Sequence, residues 1–245
     1  MLDHTDFYNV NQHIETYIRH IETSGLRLRI DDDLSAFACV RGRFRGYVHP
    51  ALDPNYSDTS SGLWLEALGN DRNVAGCVAI RRFDGESLAN LIWSRQLWGD
   101  RRPLLRPISP IQLLWPDGMS SPKGRLVYSG GLFLDEKYRS AKVGISMVRL
   151  LRAMAFRDWR PDWVFGLAAE PLVAADIPRK LYGYSQTVPC FNEKADFGPA
   201  HEREWLSVIS RNDMRAEYAS LPSVPSNWES PVLDQRYGNQ MAAAG

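Results

Sequence analysis

One run of the sequence restricts the fold more than any other. Residues 125 to 158 change from strand spacing to helix spacing with almost no loop between them. Leu126-Val127-Tyr128 and Leu132-Phe133-Leu134 read as strand, with Gly130-Gly131 in the middle. Paired glycines there predict a bulge or the close approach of another backbone. Val143, Met147, Val148, Leu151, Met154 and Ala155 then form one apolar helical stripe, which Asp158-Trp159-Arg160-Pro161 ends. Trp163-Val164-Phe165-Gly166-Leu167 is short and mostly apolar, as expected for a strand covered on both faces. Such a succession predicts a mixed α/β (α+β) architecture.

The rest of the chain supplies five more strands. Leu26 to Ile30 alternates apolar and charged residues, and Leu63–Leu68 with Val74–Ile80 flank Gly69-Asn70-Asp71-Arg72-Asn73 as a hairpin. Thr187–Phe191 and Glu204–Ile209 read as further strands, and Met214 to Leu221 as a helical turn. Phe7, Val10, Ile14, Ile18 and Ile21 recur at helical spacing before Ser24-Gly25. Residues 36 to 47 are ambiguous, with Arg41, Arg43 and Arg45 alternating as along a strand. Residues 50 to 62 read as a loop. Residues 84 to 124 carry Trp93, Trp98 and Trp115 among prolines and arginines, as an insertion covering the core would. The expectation is one domain over 1–221 with an insertion at about 84–124, followed by an extended or disordered tail over 222–245.

Composition removes several classes of function. The 29 Lys+Arg balance 29 Asp+Glu, so no surplus charge draws nucleic acid or an anionic membrane. No apolar run reaches the length of a membrane span. The N-terminus lacks the basic and apolar segments of a secretory signal. Cys39, Cys77 and Cys190 are widely spaced and odd in number; they read as buried free thiols in a reducing, cytoplasmic setting. His4, His13, His20, His49 and His201 stand at no metal-ligand spacing, so no metal is expected. Of the 29 cations, 24 are Arg and 5 are Lys, a skew that suits phosphate or carboxylate recognition but also follows from base composition.

The candidate chemistry lies where the strand at 126–134 meets its helix. A helix N-terminus offers unpaired N–H groups and the positive end of a dipole, which suit a phosphate. Ser140, Ala141 and Gly144 keep that end small, and Arg139 and Lys142 add positive charge. This stretch resembles the acyl-coenzyme A motif of the GNAT acyltransferase superfamily: an aliphatic strand end, four variable residues, Arg or Gln, two residues, Gly, one residue, then Gly or Ala. Leu134, Arg139 and Gly144 fall on its positions. Lys142 stands at its first glycine, and Arg179 stands where the family often has a tyrosine before Gly183-Tyr184. The resemblance runs over residues 63 to 210, apart from the insertion.

The resemblance implies a mixed, mostly antiparallel sheet of about seven strands flanked by helices, splayed between two central parallel strands. It implies acetyl-coenzyme A or another acyl-coenzyme A as co-substrate, with pantetheine along Leu132, Phe133 and Leu134. The pyrophosphate would then lie on the amides of Arg139, Ser140, Ala141, Lys142, Val143 and Gly144. A backbone N–H near Leu132 or Phe133 would polarise the thioester carbonyl. The acceptor would be a small-molecule amine or amino acid attacking directly, and a homodimer is compatible. Glu170 and then Glu66 are the carboxylates expected to take the amine's proton. A loop carboxylate and an edge-strand charge are their plainer readings. Tyr182, with Tyr184 behind it, is the expected proton donor to the leaving thiolate. Alternatives are a long-chain donor, carried on coenzyme A or an acyl carrier protein, and a catalytically silent acyl-coenzyme A-binding module.

Overall fold

Helix α1 (His4–Thr23) buries Val10, Ile14, Tyr17 and Ile21 on one face, and Gly25 at φ +78° ends the turn behind it. Phe7, expected to join that stripe, is half exposed. The computed structural model describes residues 4–44, 48–94, 96–97, 121–139, 142–191 and 204–222. Most of the aromatic insertion and nearly all of the tail therefore lie outside the described residues.

Seven strands form one sheet in the order β1 (Arg27–Asp31), β2 (Gly62–Leu68), β3 (Val74–Ser87), β4 (Lys123–Leu134), β5 (Trp163–Ala169), β7 (Glu204–Ser210) and β6 (Gln186–Phe191). Every neighbouring pair is antiparallel except β4 and β5. The hairpin at 69–73 closes as the sequence predicts, with Gly69 donating to the Asn73 carbonyl at 2.9 Å. Strand β3 runs past Ile80 to Ser87, and β4 pairs with it as far as Glu86↔Gly124 and Ser87↔Lys123. The two ends of the expected insertion are thus part of the sheet. Helix α3 (Leu88–Trp93) follows β3 directly.

Two other stretches gain definition. The ambiguous stretch from residue 36 is helical as far as Arg43, within α2 (Leu34–Arg43), and residues 45–47 lie outside the described residues. The Asp33 side chain accepts from the Ser35 amide and starts the helix, and Leu34, Phe37 and Val40 form its buried face. Three-residue apolar spacing outweighs the alternation of three arginines, because burial stabilises a helix more than exposed charge does. The loop at 50–62 also holds a short 3-10 turn, Pro50–Leu52, whose three residues are buried.

The sheet separates two cores. On one face α1, α5 (Val143–Asp158) and α8 (Arg211–Ala219) pack against Leu65, Val78, Ile80, Val127 and Ile209. On the other, α2, the 3-10 turn and α3 cover Trp64, Cys77, Ala79, Tyr128, Phe165 and Val208. Between β4 and α5 lies α4 (Glu136–Arg139), and after β5 come α6 (Glu170–Ala174) and α7 (Ile177–Lys180). The sequence reading anticipates α7 and misses α6. No helix of the described residues is long and apolar enough to cross a membrane.

Candidate active site

The parallel contact between β4 and β5 is brief. Leu126, Val127 and Tyr128 pair with Trp163, Val164 and Phe165, and beyond them the strands part. Strand β5 continues along β7, while β4 continues along β3 to Leu134. From Ser129 onward the edge of β4 that faces the gap has no strand partner among the described residues. A gap of this kind can take an extended ligand as an additional strand.

A bulge shapes the same stretch of β4. Ala79 lies opposite Gly130 and Cys77 opposite Phe133, so β4 carries one residue more than β3 there. Gly131 holds φ +67°, and a Cβ on it would come within 2.6 Å of the Phe37 ring. Only glycine meets both demands without strain. The expected bulge at the paired glycines is therefore present. It turns Leu132 and Leu134 to the α5 face and Phe133 to the α2 face.

At the vertex of the fork three groups converge. A Cβ on Gly166 would lie 2.8 Å from the Tyr184 hydroxyl oxygen and 3.0 Å from the Ser129 carbonyl oxygen. Burial raises the pKa of the Tyr184 phenol, while Arg152 and a hydrogen bond with Ser129 pull it partly back. The phenol is thus protonated near neutral pH. Tyr128 covers the opposite face, its hydroxyl 2.6 Å from where a Gly130 Cβ would stand and its ring 4.9 Å from that of His49. His49 Nδ1 accepts from the Ala51 amide, and burial lowers its pKa to about 3, so it stays neutral. Sequence reading misses Tyr128, Ser129 and His49 here, and no local pattern marks them, because their proximity is created by the sheet.

The other end of the fork meets α5. Its first bonds run from the amides of Ile145 and Ser146 to the Lys142 carbonyl, so the amides of Val143 and Gly144 precede the hydrogen-bond ladder. Lys142 holds φ +58° as the N-cap residue, the conformation a glycine would take at no cost. Gly144 faces inward: a Cβ there would touch the Leu132 and Leu134 side chains at 3.5 Å. Arg139 is mostly exposed and folds back, donating to the Leu134 carbonyl at 3.2 Å and lying 3.6 Å from Glu136. Ser140 and Ala141 lie outside the described residues.

No protein-family model matches the chain, and no curated protein does so. Among solved structures it is similar to Arabidopsis thaliana NAA60 in complex with acetyl-CoA, at 16% identity and TM-score 0.47, covering 76% of this chain and 99% of that one. It is also similar to the spermidine/spermine N-acetyltransferase SpeG from Vibrio cholerae, at 8% identity and TM-score 0.45, covering 79% of this chain and 97% of that one. The seven-stranded, mostly antiparallel sheet with one parallel pair that parts is the GNAT-like architecture that the resemblance in sequence implies.

Within this GNAT-like frame the expected catalytic residues are dispersed. Glu170 begins α6, four residues past Gly166 and so near the open end of the fork. Glu66 sits on an interior strand rather than on a sheet edge, because β1 covers β2. It is buried, pairs in register with Cys77, and lies 3.5 Å from the Arg29 guanidinium. Its side chain shares the α2 face with Phe133, two strands away. Tyr182 is half-buried among Ile145, Leu181 and the α5 core, and burial followed by Tyr184 pushes its pKa up to about 12. Arg179 is exposed and held by Asp176. Cys77 is buried as expected, its pKa raised to about 12 chiefly by burial, whereas Cys39 is exposed on the outer side of α2. A concavity of about 490 Å³ beside Cys39, lined also by Ser35, Asp53 and Asn55, lies away from the fork.

Proposed function

We propose that this chain is an acyl-coenzyme A-dependent N-acyltransferase that moves an acetyl or other acyl group to the amine of a small molecule or amino acid. One observation carries the reading: β4 and β5 part after three residue pairs, and the freed arm of β4 leads through the single turn of α4 to the N-terminus of α5. An acyl-pantetheine is a long, amide-bearing chain ending in a pyrophosphate. The free edge of Ser129 to Leu134 offers backbone donors and acceptors to its amides. The amides of Val143 and Gly144, with Lys142 beside them, offer a positive end to its phosphates.

The reaction then needs little side-chain chemistry. The bulge at Gly131 leaves backbone N–H groups of β4 to polarise the thioester carbonyl. An amine held beside that carbonyl attacks directly, with proximity supplying much of the acceleration. Glu170, near the open end of the fork, and Glu66, on the α2 face, are the carboxylates assigned to receive the amine's proton, through water where distance requires it.

The test offers a panel of amines and amino acids at saturating concentration with acetyl-, octanoyl- and palmitoyl-thioesters, and measures thiol release. Release with any pair supports the reading, and chain-length preference identifies the donor class. Coenzyme A binding by calorimetry without release from any pair would leave a silent binding module and defeat the proposal.

A further inference from the structure

The segment after α7 is held in place by an ion-pair clamp of three charged groups, two of them on α5. Arg149 Nε donates to the Leu181 carbonyl at 2.8 Å, and Arg152 Nη1 donates to the Tyr182 carbonyl. Both guanidinium groups face Glu217 on α8. Arg152 Nη2 donates to its two carboxylate oxygens at 2.8 and 2.7 Å, and Arg149 Nη1 lies 3.6 Å from one of them. Arg152 is almost fully buried. Gly183, at φ +72°, passes so near that a Cβ would stand 3.0 Å from Arg152 and 3.5 Å from both Arg149 and Glu217.

The clamp has a clear product. With the carbonyls of residues 181 and 182 fixed and Tyr184 N bonded to the Pro178 carbonyl, the Tyr184 ring runs beside Arg152, 6.0 Å from its guanidinium. Its hydroxyl ends at Gly166 and Ser129, the first residues past the last paired step of β4 and β5. That hydroxyl therefore stands at the vertex, the closed end of the fork. Tyr182 does not share this position: it packs against Ile145 and Leu181.

We propose that Glu217 is a positioning residue which, through Arg149 and Arg152, holds Tyr184 at the fork vertex, where Tyr184 is the catalytic residue that contacts the leaving thiolate. This rests on the acyl-transfer reading above. As the amine nitrogen bonds to the carbonyl carbon, the carbon–sulfur bond breaks and its electron pair goes to sulfur. Sulfur takes the Tyr184 proton, and the proton shed by the nitrogen, received first by the carboxylate, returns through solvent to restore the phenol. The products are an amide and a free thiol, with no further reactant. Glu217 lies outside the motif that carries the resemblance, so the clamp is visible only where α5, α8 and the 181–184 segment meet.

A double-mutant cycle tests this, with thiol release, calorimetric coenzyme A binding and NMR of isotope-labelled tyrosine as readouts. Tyr184→Phe is expected to lower kcat roughly hundredfold, as loss of a general acid does, with coenzyme A affinity little changed. Glu217→Gln is expected to lower kcat on its own yet add less than about twofold to Tyr184→Phe, since both act through one phenol. Losses that multiply would make Glu217 merely structural, and wild-type turnover in Tyr184→Phe would exclude the phenol. In the NMR arm, coenzyme A is expected to shift the Tyr184 resonance in the wild type, and Glu217→Gln to displace that resonance before ligand is added. Bound coenzyme A with an unmoved Tyr184 signal overturns this inference alone; no binding overturns the acyl-transfer reading with it. If Glu217→Gln fails to fold by circular dichroism, Arg149→Gln carries the same cycle.

Discussion

The two faces of the sheet treat arginine differently. On the α5 face, Arg152 is buried against a carboxylate: burial pulls its pKa down, and Glu217, then Tyr218 and Tyr184, more than reverse the shift. On the α2 face, Arg41 stands 5.7 Å from the Phe133 ring and Arg81 stands 4.4 Å from the Phe83 ring, and burial lowers the pKa of both. Arg81 donates to the Ala51 carbonyl, and neither has a carboxylate at ion-pair distance among the described residues. Arg149 and Arg152 are held in a neutralised cluster that fixes geometry. Arg41 and Arg81 rest on aromatic rings, a contact that tolerates exchange for an apolar side chain.

The sharpest way to break this contrast is to remove one guanidinium from each face. Arg152→Leu is expected to destabilise the protein by about 3 kcal/mol, because Glu217, a partly buried charge, loses both of its close hydrogen bonds and keeps only Arg149 at 3.6 Å. Arg41→Leu is expected to cost under about 1.5 kcal/mol, since its ring contact is replaced by apolar packing. Chemical denaturation of both variants checks the pair; equal losses would erase the distinction between the faces.

A second prediction concerns pH and the α2 face alone. The folded pKa of His49 is about 3, below the 6.5 of an unstrained histidine, so between those values the unfolded chain binds a proton that the folded chain does not. Stability therefore rises with pH across that window and is lost as pH falls through it. His49→Asn keeps an acceptor for the Ala51 amide but does not titrate. Its melting temperature should fall less between neutral and acidic pH than that of the wild type, by calorimetry at several pH values.

The smallest effect is expected at the mouth of the fork. Arg139 is exposed and its ion pair with Glu136 is open to solvent, so Arg139→Ala should change stability by less than about 0.5 kcal/mol. Any larger consequence should appear in coenzyme A affinity, as the KM for the thioester.

What the sequence makes legible follows from how local each signal is. The strand-to-helix run at 126–157 is readable because periodicity and paired glycines are both short-range, and so is the bulge they predict. Helix α2 stays ambiguous in sequence because Arg41, Arg43 and Arg45 imitate a strand, while its contact of Phe37 with Gly131 spans distant segments. Inward-facing Gly144 shows the same limit. Its motif spacing is evident in sequence, but its contact with Leu132 and Leu134 is not, and that contact makes Gly144→Glu the burial of a charge. Tyr184 reads in sequence as a core aromatic or as a proton donor second to Tyr182, and only the sheet brings its hydroxyl to Ser129.

The order of strands also sets a timetable. Strand β5 has three partners on β4 but seven on β7, which is the last strand made. Helix α8, carrying Glu217, follows β7 without a break. During synthesis, one arm of the fork and the centre of the clamp therefore arrive together, with residues 204–219. A nascent chain stopped short of them holds α5 and the bulge, yet lacks the strand on which β5 makes most of its pairs. Competence to bind should thus appear late and all at once as the chain lengthens.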